Sequence, residues 1–564
     1  MPLQAQGDGL PDRHDMASGA APAQCDGDVI RDITIHSSAP TVAGLNRFPV
    51  VRDIARATHA TTRPQVIRGF LLFTEGGRCT ELARAESERI LRAQPFLADA
   101  RITAIALDDG VRIEVHTIDE VAMVFGTRIL SGEPLVRSLR LGNGNLAGRG
   151  MYVAGEWRAG GAMRDGAGVT VSDHLAFGKP YVLHLKALRS PLGGEWHSSV
   201  TRPFLTGLQS QAWRAGAGET SGYTELVHPD SARHALRVER RYADAGAMFR
   251  VGSPVRMGLL GLVMSHERET VATDLTRLAP DGSAVGDTSP RTTTRYQSTR
   301  LNAFAGVRSL EFVRVEGFDA LSAAQDIPTG FQAGLVVGRG IDEPAGGGRG
   351  RELFLAADLY AGRGDTDDAT RLQLRAQGAR AAADGDWGRV IATGAVTHQY
   401  KPSAAHTLEL TGHWALAWRS GLPTQLLLGA KNGGVRGYDH FAAGGARRAS
   451  VRLEDRWLLG TASTLGEYGV AAFGEAGRVW RGDAPLGVTT PVRTAIGVSV
   501  LAAVPIRSAR LWRLDLAVPL QGPSAGRVEF GFSNGDRTSV FWREPPDIAT
   551  MRGRAVPASV FAWP

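Results

Sequence analysis

The sequence lacks the signatures of common enzymes and of helical membrane proteins. It contains no HExxH, GxSxG or P-loop pattern, so zinc proteases, esterases and nucleotide hydrolases lack their minimum motifs. Its longest purely apolar run, at 500–506, is much shorter than the roughly 18 residues that a transmembrane helix needs. We therefore expect no enzymatic activity, no cofactor and no membrane-spanning helix.

Cysteine is almost absent. The chain has only Cys25 and Cys79, with no CxxC pair and no histidine at ligand spacing, which argues against a metal site. In an oxidising compartment the two thiols would form a disulfide, whereas in a cytosolic protein they would stay free. Residues 1–24 contain no apolar segment of a secretory signal, although Ala21-Pro22-Ala23 resembles a signal-peptidase site. The sequence leaves open whether a signal lies elsewhere or this match is chance.

Glycine, by contrast, is abundant. The 70 glycines among 564 residues recur between short alternating segments, as turns that join many strands require. Lys and Arg number 64 against 57 Asp and Glu, which gives a net charge of +7, and the basic residues form no block. We interpret these charges as a polar barrel interior and loops, and nucleic-acid binding as the weaker alternative.

Residues 29–118 have the pattern of a small α/β unit. The predicted order is β-α-α-β-β, and Thr80 is the predicted N-cap of the second helix. The predicted elements are a strand at Val29–His36, a short helix at Val50–Ala60, helical residues at Arg63–Phe73, a helix at Glu81–Gln94, and a hairpin of Ala100–Leu107 with Val111–Ile118 across Asp108-Asp109-Gly110.

From about residue 119 the helical periodicity gives way to alternation in segments of the length that a tilted membrane strand needs. Between 408 and 419, for example, Leu408, Leu410, Trp414 and Leu416 share one face and polar or small residues share the other. About sixteen such segments fit a closed antiparallel barrel. A soluble β-sandwich also alternates, so the pattern alone does not establish a membrane.

Five short segments resemble motifs of the BamA/TamA/FhaC superfamily of outer-membrane assembly and secretion barrels, and they occur along the chain in the superfamily's order. The Val435-Arg436-Gly437-Tyr438 stretch is similar to its V-R-G-F/Y loop motif, and the others are Asn145–Gly148, Val451–Arg456, Phe473–Gly477 and Leu514–Leu520. The unit at 29–118 resembles a single POTRA domain. The resemblance covers about 29–545.

This resemblance implies a mainly β protein with a roughly 16-stranded antiparallel transmembrane barrel preceded by one POTRA-like periplasmic domain. The implied division is an unstructured leader at 1–28, the POTRA-like domain at 29–118, the barrel at 119–545 and a C-terminal tail at 546–564. The implied function is to capture an unfolded or extended periplasmic client and to insert or secrete it, as a monomer in outer-membrane lipid. The alternatives are a barrel that anchors or displays a surface partner, and a passive pore.

The resemblance also implies a loop that folds back into the lumen, with Arg436 against an acidic strand residue. That acid is Glu475 here, where the superfamily usually has aspartate. The expected site comprises Gly434, Val435, Arg436, Gly437, Tyr438, Phe473, Glu475 and Gly477. In the alternative reading, Val435–Tyr438 is an ordinary glycine turn.

Overall fold

The computed structural model describes the two folded parts of the chain with gaps at the termini and in several loops. The described residues are 22–40, 60–130, 136–159, 165–227, 234–253, 256–278, 284–285, 292–341, 352–380, 385–430, 433–439, 443–462, 466–504, 506–535 and 544–552. The predicted helix at Val50–Ala60 lies largely outside them. No described helix is long and apolar enough to cross a membrane.

The N-terminal part is a five-stranded sheet with two helices. The strand order is β1-β4-β5-β2-β3, with β2 parallel to β5. The strands are β1 (Pro22–Ala23), β2 (Asp26–Ser38), β3 (Arg78–Thr80), β4 (Leu97–Leu107) and β5 (Gly110–Asp119), and the helices are Pro64–Arg68 and Glu81–Arg92. We call this unit the small domain.

Local sequence explains the helix boundaries of the small domain. Pro64 begins the first helix, where a missing backbone N–H costs nothing. The Thr80 hydroxyl accepts a hydrogen bond from the Ala83 N–H at 3.3 Å, as its predicted N-cap role requires. Ile90 and Leu91 turn the buried face of the second helix toward the apolar core of the sheet.

The small domain begins earlier than the sequence predicts. Residues 22–28, which we assigned to an unstructured leader, already form β1 and the start of β2. The reason is a long-range bond: Cys25, beside the start of β2, is bonded to Cys79 in β3, with a Cα–Cα distance of 4.8 Å. Both cysteines are part of the apolar core, so this edge of the domain is built on the disulfide.

The rest of the described chain forms a closed antiparallel barrel. Its first ten strands are β6 (Met123–Leu130), β7 (Val136–Asn143), β8 (Met151–Arg158), β9 (Gly166–Asp173), β10 (Val182–Ser190), β11 (Gly193–Arg202), β12 (Gln211–Leu226), β13 (His234–Gly252), β14 (Met257–Ala272) and, after the short strands β15 (Thr276–Leu278) and β16 (Ala284–Val285), β17 (Thr293–Glu316). The other ten are β18 (Ala324–Gly340), β19 (Leu353–Gly364), β20 (Asp368–Arg380), β21 (Trp387–Ser403), β22 (His406–Trp418) and, after the short pair β23 (Leu426–Leu427) and β24 (Gly444–Gly445), β25 (Arg447–Ala462), β26 (Gly466–Trp480), β27 (Arg493–Ala503), β28 (Leu511–Pro519) and β29 (Glu529–Gly535).

The prediction of sixteen strands was wrong. Twenty described strands follow one another around the barrel, apart from the four short ones. Strand lengths explain the error, because β6 to β11 span only 8 to 10 residues and β17 spans 24. A count that assumes strands of about ten residues each therefore gives the wrong number, because the real strands are both shorter and much longer than that.

The two faces of the barrel wall differ in polarity, as the alternation predicts. On β22 the outward Leu410 and Trp414 are 46% and 44% exposed, while the neighbouring Thr411 faces the interior and is buried. Across the wall, other buried polar side chains such as Glu267, Asn302 and Gln373 also lie inside. An apolar outer surface around a polar lumen is the arrangement of a membrane-spanning barrel.

The barrel closes through a short seam between its last and first strands. Among the described residues, two residue pairs join β29 to β6, Gly531 with Leu130 and Phe532 with Ile129. Six pairs join β7 to β8 and seventeen join β17 to β18. The seam therefore has the fewest ladder hydrogen bonds of these three strand pairs.

The small domain is docked on one end of the barrel, which we call the near end. From its helix Glu81–Arg92, Arg92 forms a two-pronged ion pair with Asp326 at 2.8 and 3.1 Å. Glu86 accepts a hydrogen bond from the Thr206 hydroxyl at 2.5 Å. Asp326 lies near the start of β18 and Thr206 lies between β11 and β12, both at the near end, so this helix forms part of the contact surface between the two parts.

The charge of Glu86 depends on its neighbours in this contact. Burial alone would raise the pKa of the Glu86 carboxyl, but the hydrogen bond and positive charge of Arg89 outweigh it, and the pKa lies below its ordinary value. Glu86 therefore remains an anion at neutral pH, which lets it accept the hydrogen bond from Thr206.

Asn145 ties the first barrel turn to the small domain. Its side-chain amide donates to the Thr62 hydroxyl at 2.7 Å, and Thr62 donates to Asp119 at the end of β5. The side-chain amide oxygen of Asn145 accepts from the Gly150 N–H at 2.7 Å. This buried network gives a structural role to the segment Asn145–Gly148.

The C-terminal segment is not an external tail. Residues Pro546–Met551 form a helix, and Ile548 and Met551 are buried against the inner barrel wall. The prediction of a tail at 546–564 was therefore wrong for residues 546–552, while 553–564 lie outside the described residues. The Pro-rich end of the chain has no periodic pattern that would predict a helix. Two apolar side chains, Ile548 and Met551, are nevertheless enough for a short helix to pack against the wall.

Candidate functional site: an arginine cluster in the barrel lumen

The loop between β22 and β25 leaves the far end of the barrel and returns into the lumen. Its descending part is fixed by the Val435 N–H, which donates to the Leu428 carbonyl at 2.7 Å, and by a parallel bridge between Gly429 and Val435. Gly434 has no room for a side chain, because a Cβ atom there would lie 1.7 Å from the Leu428 oxygen. The glycine is therefore required by close packing of the loop on itself.

The following residues anchor the loop to the barrel wall. Gly437 has φ +82°, a conformation that favours glycine. The Tyr438 hydroxyl donates toward the carbonyls of Thr494 and Gln521, at 3.0 and 2.9 Å. On the wall, Gly477 leaves space for the loop, since a Cβ atom there would lie 2.7 Å from the Val435 side chain.

Arg436 is buried at the tip of this loop and contacts three carboxylates. Its Nε donates to Glu475 at 2.7 Å, and its backbone N–H donates to the other oxygen of the same carboxylate at 2.7 Å. Its two terminal nitrogens reach Asp515 at 2.8 Å and Glu454 at 3.1 Å. The Arg436 guanidinium lies 3.3 Å from the centre of the Phe473 ring. Glutamate in place of the aspartate that the resemblance leads one to expect therefore still reaches Arg436.

Two further arginines complete the arrangement. Arg452 donates to Glu475 at 2.5 Å, and Arg513 donates to Glu454 at 2.6 Å and to Asp515 at 2.6 Å. Together with Arg436 they give three positive charges against the three carboxylates, so the buried set is neutral overall. We call these six residues the Arg436 cluster.

The structure thus brings together all eight residues of the expected lumen site. Sequence reasoning missed Arg452, Glu454, Arg513 and Asp515, although three of them lie in segments that resemble the superfamily and Arg513 directly precedes one. The available signal was alternation, since in β25 and β28 charged residues occupy every second position beside an apolar face. Charges on the inner face of neighbouring strands are expected to meet.

The cluster is suited to holding a loop in place. Its charges are mutually satisfied, and the described residues contain no group of side chains that could hold a metal ion. Burying a neutral set of charges with several hydrogen bonds fixes geometry strongly, because removing one member leaves another buried and unpaired. The arrangement therefore acts on the conformation of the loop, which occupies the lumen.

The small domain offers a second feature, an open strand edge. The Ile30 backbone on this edge of β2 is paired with Gly76 and Gly77, and the Ile33 carbonyl accepts a hydrogen bond from the Arg68 side chain at 2.9 Å. Beyond Ile30, no described strand pairs with the outer edge of β2. The edge of β4 is covered instead. There β1 pairs with Ala104 and Ile105, and helix side chains bind both backbone groups of Ile102.

Comparison with known proteins identifies no family for the chain. No family model and no curated protein sequence matches it. Similar solved structures include CdiB from Escherichia coli, at 10% identity and TM-score 0.45, covering 90% of this chain and 76% of that one. The crystal structure of BamA from Haemophilus ducreyi lacking POTRA domains 1-3 has 12% identity and TM-score 0.36, covering 90% and 84%. BauA, the ferric preacinetobactin receptor from Acinetobacter baumannii, has 9% identity and TM-score 0.32, covering 77% and 86%. These identities and TM-scores assign neither a family nor a function to this chain.

Proposed function

We propose that this chain is an outer-membrane barrel that delivers a client protein. Its N-terminal unit acts as a single POTRA-like domain that binds an extended periplasmic client, and its barrel then inserts the client into the membrane or passes it through. The proposal requires no cofactor and no bond-making step. The small domain is on the periplasmic side and the long β22–β25 loop starts from the outer side.

The observation that carries the proposal is the outer edge of β2, which beyond Ile30 is paired with no strand of the described residues, in a domain docked on the barrel mouth. An exposed strand edge binds extended segments by main-chain hydrogen bonds, largely independently of their sequence. Backbone groups alternate along a strand, so Ile35, two residues after the outward Ile33, presents its N–H and C=O to the open side. The covered edge of β4 lacks this capacity.

Two features of the barrel support transport over the alternatives. The two-pair seam between β29 and β6 is a part of the wall that can separate at low cost. The β22–β25 loop fills part of the lumen and is held by the Arg436 cluster, an arrangement that a passive pore does not need. A barrel that only anchors a partner would require neither an open strand edge at its mouth nor a short seam.

Replacing Ile35 by proline tests client binding at β2. Ile35→Pro removes the outward N–H but leaves the ladder to β5 intact, because proline is tolerated where an edge N–H faces outward. We expect a loss of client delivery of about tenfold, with normal amounts of barrel in the membrane, since each lost backbone hydrogen bond is worth about 0.5–1.5 kcal/mol. Surface levels of outer-membrane and secreted proteins, measured by quantitative proteomics, provide the readout.

The matched control is Ile35→Ala, which shortens the same side chain but keeps the backbone donor. We expect delivery within about twofold of the unmodified protein. Equal delivery by Ile35→Pro and the unmodified chain would contradict capture at this edge.

A further inference from the structure

The helix Pro546–Met551 lies inside the barrel, in the half distant from the small domain. Ile548 and Met551 pack against Ile391, Ala415 and Ala417 of the inner wall, and the Ile548 side chain is fully buried. These wall residues belong to the parts of β21 and β22 next to the far end. Residues 544–552 therefore lie in the lumen.

One end of this helix is held by an ion pair. Arg448 at the start of β25 binds Asp547 at 2.5 Å, and Asp547 also accepts a hydrogen bond from the Leu427 N–H at 3.3 Å. Both partners of the ion pair are almost completely buried. Since Leu427 belongs to the β22–β25 loop, this contact joins the helix to the same loop that carries Arg436.

The other end is held by its last residue and by a wall arginine. Arg552 donates to Gln377 at 3.0 Å and to Thr393 at 3.1 Å, on β20 and β21. From β13 on another part of the wall, Arg240 donates to the backbone carbonyls of Thr550 at 3.2 Å and Arg552 at 2.8 Å. The segment therefore spans the lumen between distant strands.

Arg240 is itself fixed by two buried glutamates. It forms ion pairs with Glu267 and Glu269 on β14, and all three side chains are nearly inaccessible to solvent. A guanidinium already neutralised by carboxylates still has nitrogens free to donate to carbonyls. The wall thus presents a rigid donor to the carbonyls at the C-terminal end of the helix, where backbone acceptors lack partners within the helix.

The contacts of residues 544–552 matter because the barrel is wide enough to enclose an open channel. Barrels of about 16–18 strands enclose an aqueous channel when nothing fills them. This barrel has twenty strands around its circumference, so its lumen is wide enough to conduct ions unless chain segments obstruct it. Two segments do so, the β22–β25 loop and residues 544–552.

We propose that residues 544–552 are a plug that keeps the pore closed at rest and must leave the lumen before a client can pass. The plug and the loop are in direct contact, since the Leu427 N–H donates to Asp547 and a side chain at Gly433 would lie 3.1 Å from Pro545. The inference rests on the proposed function only in its second part, that a client displaces the plug. Closure itself is a property of the barrel.

Single-channel conductance in planar lipid bilayers tests closure without a client. We expect deletion of 544–564 to raise the mean conductance of the refolded protein roughly threefold or more, because the far half of a lumen of this width is emptied. The full-length variant Asp547→Lys places a second positive charge against Arg448 and should produce frequent openings of similar size. The matched control is Asp386→Lys, which makes the same charge change in an exposed surface pair with Arg419 and should stay closed.

Heat-modifiable gel mobility first shows which variants contain a folded barrel. If the deletion variant does not fold, the full-length Asp547→Lys variant decides. A folded deletion or Asp547→Lys variant that conducts like the unmodified chain would overturn the plug, as would equal opening by Asp386→Lys. Client delivery is measured separately with Ile35→Pro. Unchanged conductance of the plug variants counts against the plug, and unchanged delivery by Ile35→Pro counts against client binding at β2.

Discussion

At the scale of single residues, the fold of the lumen loop depends on the pairing of buried charges. Arg436 makes contacts with Glu475, Glu454 and Asp515 that no water molecule could replace without opening the loop. In such a set the charges individually cost free energy to bury, and their mutual attraction offsets that cost only while all members are present. Removing Arg436 therefore costs more than the loss of its own hydrogen bonds.

We expect Arg436→Ala to lower the free energy of unfolding by about 3–5 kcal/mol, because three carboxylates are left with two arginines in a buried site. The change is measured as a lower midpoint in urea-induced unfolding followed by heat-modifiable mobility. The control is Arg241→Ala, which removes an arginine paired with Glu219 at a position where 67% of the side chain is exposed. Such surface pairs contribute about 0–1 kcal/mol. An equal midpoint shift in both variants would contradict a special role for Arg436.

The resemblance to the superfamily implied the Arg436 partner but not the whole cluster. The shared face of Phe473, Glu475 and Gly477 follows from the two-residue period of a strand, and the structure turns all three inward. Which inward charges meet across strands depends on register, and register depends on strand lengths and turns that a single sequence does not specify. Glu454 and Asp515 could be listed as inward charges, but their convergence on one guanidinium could not be foreseen.

At the scale of elements, the β22–β25 loop behaves as a packed part of the barrel. Gly434 and Val435 fit against Leu428 of the same loop, and Val435 fits against Gly477 of the wall. The loop's conformation is therefore set by steric fit as well as by charge.

Gly434→Ala tests this steric requirement. A Cβ atom 1.7 Å from the Leu428 carbonyl oxygen cannot be accommodated, so the loop must leave its position. We expect protease cleavage within residues 419–446 in the folded barrel, and destabilisation by about 1–3 kcal/mol from overpacking. Limited proteolysis followed by mass spectrometry locates the cut.

The control for this variant lies on the neighbouring strand. Gly474→Ala in β26 meets no atom within 4 Å, so it should leave the loop protected and the stability nearly unchanged. If Gly434→Ala is as resistant to protease as Gly474→Ala, the loop is not held by this contact.

Elements with a strong local signal were predicted well from sequence, whereas those defined by long-range contacts were not. Thr80 as an N-cap and the turn at Asp108-Asp109-Gly110 depend on nearby residues only, and the structure has a helix and a hairpin there. The helix Pro546–Met551 has two buried side chains and no extended periodicity. Its place is determined by Arg448 and Arg240 from distant strands, which no local pattern contains.

At the scale of the whole molecule, the small domain lies at the mouth of the barrel and chain segments occupy the lumen behind it. In the small domain the edge of β4 is covered by β1, whereas no described strand covers the edge of β2 beyond Ile30. Among the described residues, the domain contacts the barrel through its helix Glu81–Arg92 and not through β2. The barrel beyond it has a short seam and a filled lumen. A client bound at β2 would thus wait at the mouth of a barrel that is closed until it changes conformation.

The most direct test of this account is site-specific photo-crosslinking in living cells. A photoreactive residue at the exposed His36 of β2 is compared with one at the exposed Ala106 of β4, whose edge is covered by β1. The account predicts an adduct at position 36 with a protein whose level at the cell surface falls when this chain is absent, and no such adduct at position 106. The same client crosslinked equally at both positions, or no client at position 36 while delivery proceeds, would contradict capture by the β2 edge.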